Sequence, residues 1–240
     1  YMIHLALEMG NSRFAYYQSL FGFGKITGID LPGETTGIVY GDRMTTIDAA
    51  CNSFGQTINV NMMQMMAAYC SIINGGMLYQ PHIVKRIESA NGEVVKEYKA
   101  NLVRQTITAS TSKLLRRYLK NTVEEGTAKK AGVTGYSVAG KTGTAQKGDR
   151  KDNKWIISFI GHAPAENPKF AIYVVIDEPY GTTGTSGSSA DVLTLTHNIL
   201  EKLLPYMNVY KDASDEYEDT SSSPDELTVD GIPAGTASSN

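Results

Sequence analysis

A chain of 240 residues, 41% hydrophobic and 20% charged with 23 Gly and 8 Pro, has the composition of a folded globular protein, which excludes a fibrous or wholly disordered one. No run approaches the length of apolar sequence that a membrane helix needs, and the opening Tyr1-Met2-Ile3-His4 reads as neither a signal peptide nor an anchor. The formal charge of −3 hides an asymmetry: from Asp212 onward there are eight acids and no base, leaving a mildly basic body whose cations are too sparse for a nucleic-acid surface.

In chain order, Met2, Leu5, Leu7 and Met9 start a helix with no cap before it, as though the chain entered a helix already under way. Ser12 is placed to cap a second helix carrying Phe14, Tyr17, Leu20 and Phe21 on one face, stopped by Gly22 and Gly24. After a loop with Pro32, Gly33, Gly37 and Gly41, Asn61 caps a helix over Met62–Ile73 that is apolar on nearly every side and so is expected to be buried; its methionines read as core packing. Asn91-Gly92 between 82–87 and 93–98 is a strong hairpin signal. Ser110 or Thr111 begins a helix ending at Gly126, with Leu114, Leu115, Tyr118, Leu119 and Val123 inward. Three β-like runs follow, Tyr136–Gln146, Trp155–Ala163 and Phe170–Asp177, joined by short links that predict an antiparallel meander. Ser189 caps a final helix through Leu204. The expected fold class is α+β, an antiparallel sheet flanked by helices. The folded body is expected over 1–206, followed by an acidic, Ser-rich disordered tail over 207–240. Cys51 and Cys70 read as buried thiols, and His4, His82, His162 and His197 lack ligand spacing, so no metal is expected.

The chemistry concentrates on Lys141-Thr142-Gly143-Thr144, inside the first of the three strands. Glycine in a strand interior weakens it unless another backbone or a ligand must come close. An edge bearing a fixed cation, two hydroxyls and a side-chain-free gap suits an extended substrate with a carboxylate. A polar edge strand whose charge keeps other sheets away is the structural alternative.

Around this strand lie, in order, Thr27 to Glu34 (Thr-Gly-Ile-Asp-Leu-Pro-Gly-Glu), Ser53-Phe54-Gly55-Gln56, Gln64, Asn74-Gly75-Gly76, Gly126-Thr127-Ala128 and Ser158 to Pro164 (Ser-Phe-Ile-Gly-His-Ala-Pro). Together they resemble the transpeptidase domain of class B penicillin-binding proteins over about residues 1–206, with its β-lactamase/transpeptidase-like fold. The resemblance implies that Lys141 and Thr144 are catalytic, Lys141 in the electrostatics and proton traffic around a serine nucleophile and Thr144 through a backbone N–H in the oxyanion hole. Thr142, Gly143 and Thr144 would bind substrate, the threonines gripping a carboxylate and Gly143 leaving room for the acyl group. It implies no cofactor, peptidoglycan stem peptides ending in D-Ala-D-Ala and β-lactams as ligands, and a parent protein tethered at the extracytoplasmic face of the bacterial membrane, paired with a glycan-polymerising membrane protein.

The family carries three motifs, serine-x-x-lysine, serine-x-asparagine and lysine-threonine-glycine, and only the last has a credible match. Ser110-Thr111-Ser112-Lys113 fits the first string but sits at a helix start, where a cap is expected. Ser238-Ser239-Asn240 fits the second within the tail. The expectation is a chain truncated at its N-terminus, with the nucleophile and the second motif upstream of Tyr1 and no covalent catalysis by the chain alone. A β-lactam-sensing or binding module, a non-catalytic piece kept for interactions, and a relative of D,D-carboxypeptidases or serine β-lactamases are the alternatives. The Thr27 to Glu34 segment favours class B.

Overall fold

The computed structural model describes residues 1–149, 151, 153–179 and 188–213, and most of the expected tail falls outside them. The helix α1 (Met2–Met9) has the expected span but buries only Ala6, leaving Met2, Ile3, Leu5 and Leu7 exposed. In α2 (Asn11–Leu20) the expected Ser12 cap does not form. Gly10, at φ 81°, occupies the N-cap position instead and lets the chain turn between the two helices. A short helix that the apolar pattern does not announce, α3 (Thr46–Asn52), begins with a capping box between Thr45 and Asp48. Its Ala49 packs with Ala15 and Met44, and Asn52 accepts a 2.9 Å hydrogen bond from Gln18.

Asn61 caps α4 (Met62–Ile73), as its sequence predicts, and the structure adds a reciprocal box with Gln64. The helix is less enclosed than expected: Met62 is exposed and Met63, Met65 and Met66 are half-buried, while Gln64, Ala68, Tyr69, Ser71 and Ile73 face inward. Cys51 and Cys70 are half-buried rather than buried, and neither is in a disulfide. Two strands absent from the sequence reading follow from long-range pairing, β1 (Met77–Gln80) with β4 (Asn101–Gln105). Between them the predicted hairpin forms from β2 (Arg86–Glu88) and β3 (Val94–Glu97), shorter than its apolar runs and exposed throughout. The helix α5 (Ala109–Glu124) is capped by Thr108, two residues before the expected start, with Thr111 N donating to its hydroxyl at 3.2 Å.

The sheet that carries the chemistry has the order β5-β6-β7, built from β5 (Ala139–Lys147), β6 (Lys154–Ala163) and β7 (Phe170–Asp177), all antiparallel. Strand β5 is at its edge. Against one face lies α6 (Ala190–Tyr206), whose Val192, Leu193, Leu200 and Leu204 share a core with Ile157 and Phe159. Ser189 occupies the N-cap position of α6 without a capping hydrogen bond from its side chain. Packing continues past the expected boundary at 206, because Val209 belongs to this core and Asp212 is tied to the chain leading into β5.

Candidate active site

Local packing explains why a glycine-rich strand is stable here. The Phe159 ring lies over two glycines: an added Cβ would sit 2.3 Å from its Cζ at Gly140 and 2.5 Å from its Cε1 at Gly161. The same approach brings carbonyls close, with Ile160 O at 2.6 Å from a Cβ at Gly140 and Ala139 O at 2.7 Å from one at Gly161. The glycines that frame the lysine strand on this face are therefore seats for a buried aromatic ring. Gly143 answers to a different neighbour. It pairs with Ser158, whose hydroxyl would lie 2.6 Å from a Cβ at that position. A clash at Gly143 is thus already set by the neighbouring strand.

Register places the candidate residues. Lys141, Thr142, Gly143 and Thr144 pair with Ile160, Phe159, Ser158 and Ile157 in turn. Since side chains alternate across a strand and directly paired residues share a face, Thr142 and Thr144 lie on the face that α6 covers. Lys141 and Gly143 share the opposite face with Ser158 and Ile160. The outer edge of β5 has no strand partner among the described residues, so a ligand running along it is reached from both faces. Lys141 and Thr144 are exposed, Thr142 and Gly143 half-buried. The Lys141 ammonium donates to its neighbour's carbonyl, Thr142 O, at 2.9 Å. The hydroxyl of Ser158 and its partner Tyr173 were not apparent from sequence as part of this face. Burial raises the Tyr173 phenol pKa, and a hydrogen bond with Ser158 opposes that rise. Alternation counted from Lys141 across the paired strands is the signal that finds them.

Two structures brace the start of β5. His162 pairs with Ala139 and is fully buried. Its Nε2 lies 3.1 Å from Ala165 O, which can only accept, so Nε2 carries the proton and Nδ1 accepts from Tyr69 of α4 at 2.8 Å. Burial lowers the His162 pKa to about 4, against the bond to Ala165 and helped by the positive charge of Arg116. The ring is neutral at physiological pH and structural. On the second side Asp212 accepts from Ser137 N at 2.7 Å and from the Ser137 hydroxyl, and its own N–H donates to Gly135 O at 3.0 Å. Ala165 N completes this cluster by donating to Ser137 Oγ at 3.0 Å.

The lookalike serine motif takes a structural form. Ser110 is an exposed residue of the first turn of α5, its hydroxyl 2.9 Å from that of Thr108. Ser112 is fully buried, donating to Ile72 O at 2.6 Å and accepting from Gly75 N at 3.0 Å, while Arg116 donates to Ile73 O at 2.9 Å. These bonds satisfy the last carbonyls of α4. Thr27 to Glu34 is a clasp: the Glu34 carboxylate accepts from Thr27 N at 2.8 Å, Thr27 Oγ1 at 2.7 Å and Gly28 N at 3.0 Å. Burial alone would raise the Glu34 pKa, but the bonds from Thr27, Gly28 and Asn61 hold it below its ordinary value. Gln64 donates to Lys25 O at 2.6 Å and Thr36 O at 3.0 Å, so this loop is bound to α4. The other histidines are separately engaged, His4 with Glu8, His82 stacked on Tyr98 and His197 on Gly132 O. No cluster of three or more His, Cys, Asp or Glu able to hold a metal occurs among the described residues.

Comparison with known proteins gives this arrangement its family. A family model described as "Penicillin binding protein transpeptidase domain" matches residues 1–201. "Stage V sporulation protein D" of Bacillus subtilis (strain 168) is 40% identical over 212 residues, covering 86% of this chain and 32% of that protein. "Peptidoglycan D,D-transpeptidase FtsI" of Escherichia coli (strain K12) is 34% identical over 215 residues, covering 87% of this chain and 34% of that protein. The crystal structure of penicillin-binding protein 3 of Mycobacterium tuberculosis complexed with aztreonam superposes with a TM-score of 0.78 at 31% identity, covering 89% of this chain and 50% of that one. The chain spans about a third of the length of the curated relatives it matches. It belongs to the penicillin-binding protein transpeptidase domain family, class B.

Proposed function

We propose that this chain supplies the substrate-binding edge of a peptidoglycan D,D-transpeptidase, a serine acyltransferase that cross-links the bacterial cell wall. The observation that carries the proposal is the edge of β5 that has no strand partner among the described residues, with Lys141 and Gly143 on one face and Thr142 and Thr144 on the other. An extended peptide adds to such an edge by backbone pairing, which aligns its carbonyl without contacts to specific side chains. A stem peptide ending in D-Ala-D-Ala presents a terminal carboxylate, which the hydroxyls of Thr142 and Thr144 grip from the edge. The Lys141 cation adds attraction and assists proton movement at the serine. The Thr144 backbone N–H is one oxyanion donor and the nucleophile's own N–H the second, each such preorganised donor contributing about 2.7–4 kcal/mol.

In this reaction the serine oxygen attacks the penultimate carbonyl, D-Ala leaves, and an amine from a neighbouring stem displaces the serine from the ester. The serine and its partner lysine lie outside these 240 residues. The only serine-x-x-lysine string near the strand, at Ser110, lies in the first turn of α5, its serine hydroxyl beside that of the capping Thr108, which supports that placement. β-Lactams enter the same cleft as carboxylate-bearing acyl donors, in keeping with the aztreonam complex of the mycobacterial relative. The whole protein works at the extracytoplasmic face of the membrane beside a glycan-polymerising membrane protein. No helix among the described residues is long and apolar enough to cross a membrane.

The test uses the longer protein that contains this chain. Lys141→Ala is expected to slow acylation by penicillin by orders of magnitude while changing stability by no more than about 0.5 kcal/mol, the scale of an exposed surface substitution. Thr144→Val keeps the backbone N–H and removes the hydroxyl, so it weakens ligands bearing a carboxylate more than esters lacking one. Second-order acylation rates and thermal melts decide the matter. Near-wild-type rates for a folded Lys141→Ala variant would remove β5 from the site. The 240-residue chain alone is expected to form no adduct with a fluorescent penicillin, and a stoichiometric adduct at Ser110 would overturn the placement of the nucleophile.

A further inference from the structure

The chain that leaves α6 comes to rest beside the entry to β5. Val209 is buried in the core, Asp212 accepts from Ser137 N at 2.7 Å, and the N–H groups of Asp212 and Ala213 donate to Gly135 O at 3.0 and 3.2 Å. Gly135 belongs to the tight turn closed by the Val133–Tyr136 pair, and this turn joins a single 3₁₀ turn, Lys129–Ala131, to β5. The end of the packed chain is therefore fastened a few residues from two adjacent lysines.

Packing fixes how the 3₁₀ turn is presented. Ala128 and Ala131 are fully buried in the core that α6 shares with the sheet, and His197 of α6 meets Gly132 O at 2.6 Å. With both alanines inward, Lys129 and Lys130 stand exposed side by side, and neither makes an ion pair among the described residues. The acids nearest in the fold do not neutralise them: Glu124 is paired with Lys120 at 3.6 Å, and the Asp212 carboxylate is occupied by Ser137. Two like charges without a counterion attract an anionic partner. Beyond Ala213 the sequence supplies one, since Asp215, Glu216, Glu218 and Asp219 place four carboxylates within residues 215–219 and no base accompanies them.

We propose that the chain's own acidic segment, residues 215–219, docks on the Lys129–Lys130 ledge and forms a second, electrostatic tie at the entry to β5, beside the one that Asp212 makes with Ser137. Reach allows it. Gly135 follows Lys130 by only five positions, so their Cα atoms are at most about 18 Å apart, while residues 214–219 extend up to about 20 Å from Ala213. The anchor at Gly135 also makes the encounter intramolecular, so an attraction between exposed charges that is weak for separate molecules acts at the millimolar effective concentration of a short tether. A second copy would bring the same acids only at the concentration of the protein, which is why the occupant is the segment of the same chain. The tie is salt-sensitive, because the Debye length shrinks from about 30 Å at 0.01 M ionic strength to about 3 Å at 1 M. It makes no use of the chemistry assigned to β5 and stands whether or not the transpeptidase reading holds.

The test is carbodiimide coupling in the 240-residue chain, which joins a lysine amine to a carboxylate where the two touch, the reagent taking up the lost water as its urea, followed by peptide mass spectrometry. At low salt, cross-links from residues 215–219 are expected on Lys129 and Lys130 of the monomer, roughly tenfold or more over those on Lys85 and Lys99, exposed lysines that flank the β2–β3 hairpin. At about 1 M salt that preference should be lost. In a ¹⁵N spectrum the Ala131 and Gly132 amides of the wild type should differ at low salt from those of a variant carrying Asp215→Asn, Glu216→Gln, Glu218→Gln and Asp219→Asn, and should coincide with them at high salt. Lys129→Gln together with Lys130→Gln, its fold checked by the rest of the amide spectrum, should erase the response to the four acid substitutions. Coupling spread evenly over the exposed lysines would overturn the proposal. So would cross-links confined to a covalent dimer, which would assign the ledge to a second copy, or amides at Ala131 and Gly132 that ignore the acid substitutions at low salt.

Discussion

At the scale of single residues, His162 shows how a buried group ties stability to pH. Its pKa in the folded chain is about 4, against an ordinary value of 6.5, because burial disfavours the imidazolium. Between those values the unfolded chain binds more protons than the folded one, so stability rises with pH across the window. The contribution is fully present above 6.5, is lost progressively as pH falls towards 4, and amounts to about 3 kcal/mol over the whole interval. His162→Phe removes the titration and leaves the Tyr69 hydroxyl without its partner. Thermal melts of both proteins from neutral to acid pH should show a steeper loss for the wild type, and parallel curves would refute the assignment. That His162 lacks ligand spacing to the other histidines was legible in the sequence. The identity of Tyr69 as its partner was not, since the two are 93 positions apart and meet only through packing of α4 against the sheet.

At the scale of elements, what the sequence disclosed depended on how local the cause was. The span of α4 followed from Asn61 and its apolar run, and the β2–β3 hairpin from Asn91-Gly92, where Gly92 takes φ 84°. The meander β5-β6-β7 was legible for the same reason, as its strands are neighbours in sequence. The pairing of β1 with β4 joins strands separated by the whole hairpin, so no local signal marked either. The β5 edge and its four candidate residues were visible as a motif, yet the division of Lys141 from the threonines by face needed the register. The start of α5 was misplaced because a cluster of Thr108, Ser110 and Thr111 offers several hydroxyls, and only backbone geometry selects Thr108. Ser112 illustrates the consequence for chemistry. Its hydroxyl joins α5 to the end of α4 through Ile72 O and Gly75 N, so Ser112→Ala should destabilise the chain by about 1–3 kcal/mol, the penalty for leaving a buried polar group unpaired. Chemical denaturation would measure this. In the longer protein the same variant should keep its penicillin acylation rate under conditions where it is folded, since Ser112 faces the helix junction.

At the scale of the whole molecule, the acidic composition that begins at Asp212 suggested that the fold ended with α6, but composition does not register what single residues do. Val209 is only 7% exposed and completes the core formed by α6 and the sheet. Asp212 then reaches Ser137, two residues before β5, so the end of the packed chain stabilises the start of the strand bearing Lys141. Charged as it is, this residue is held by directed hydrogen bonds rather than by burial. A chain ending at Tyr206 loses the Val209 contact, worth about 1.5–3 kcal/mol when fully buried, and the two bonds that Ser137 makes to a carboxylate. A chain ending at Ala213 keeps all of them. For a protein of this size 1 kcal/mol corresponds to about 2–4 °C in Tm, so the shorter chain should melt several degrees to roughly fifteen degrees lower. Asp212→Ala in the full sequence isolates the hydrogen-bond part and should produce a smaller fall. Amide hydrogen exchange locates the effect: loss of the Asp212–Ser137 bonds should raise exchange at Ser137 and along the first residues of β5 before it does so in β7, whose core contacts remain. Equal melting of the two truncated chains would show that the segment after α6 rests on the fold without supporting it.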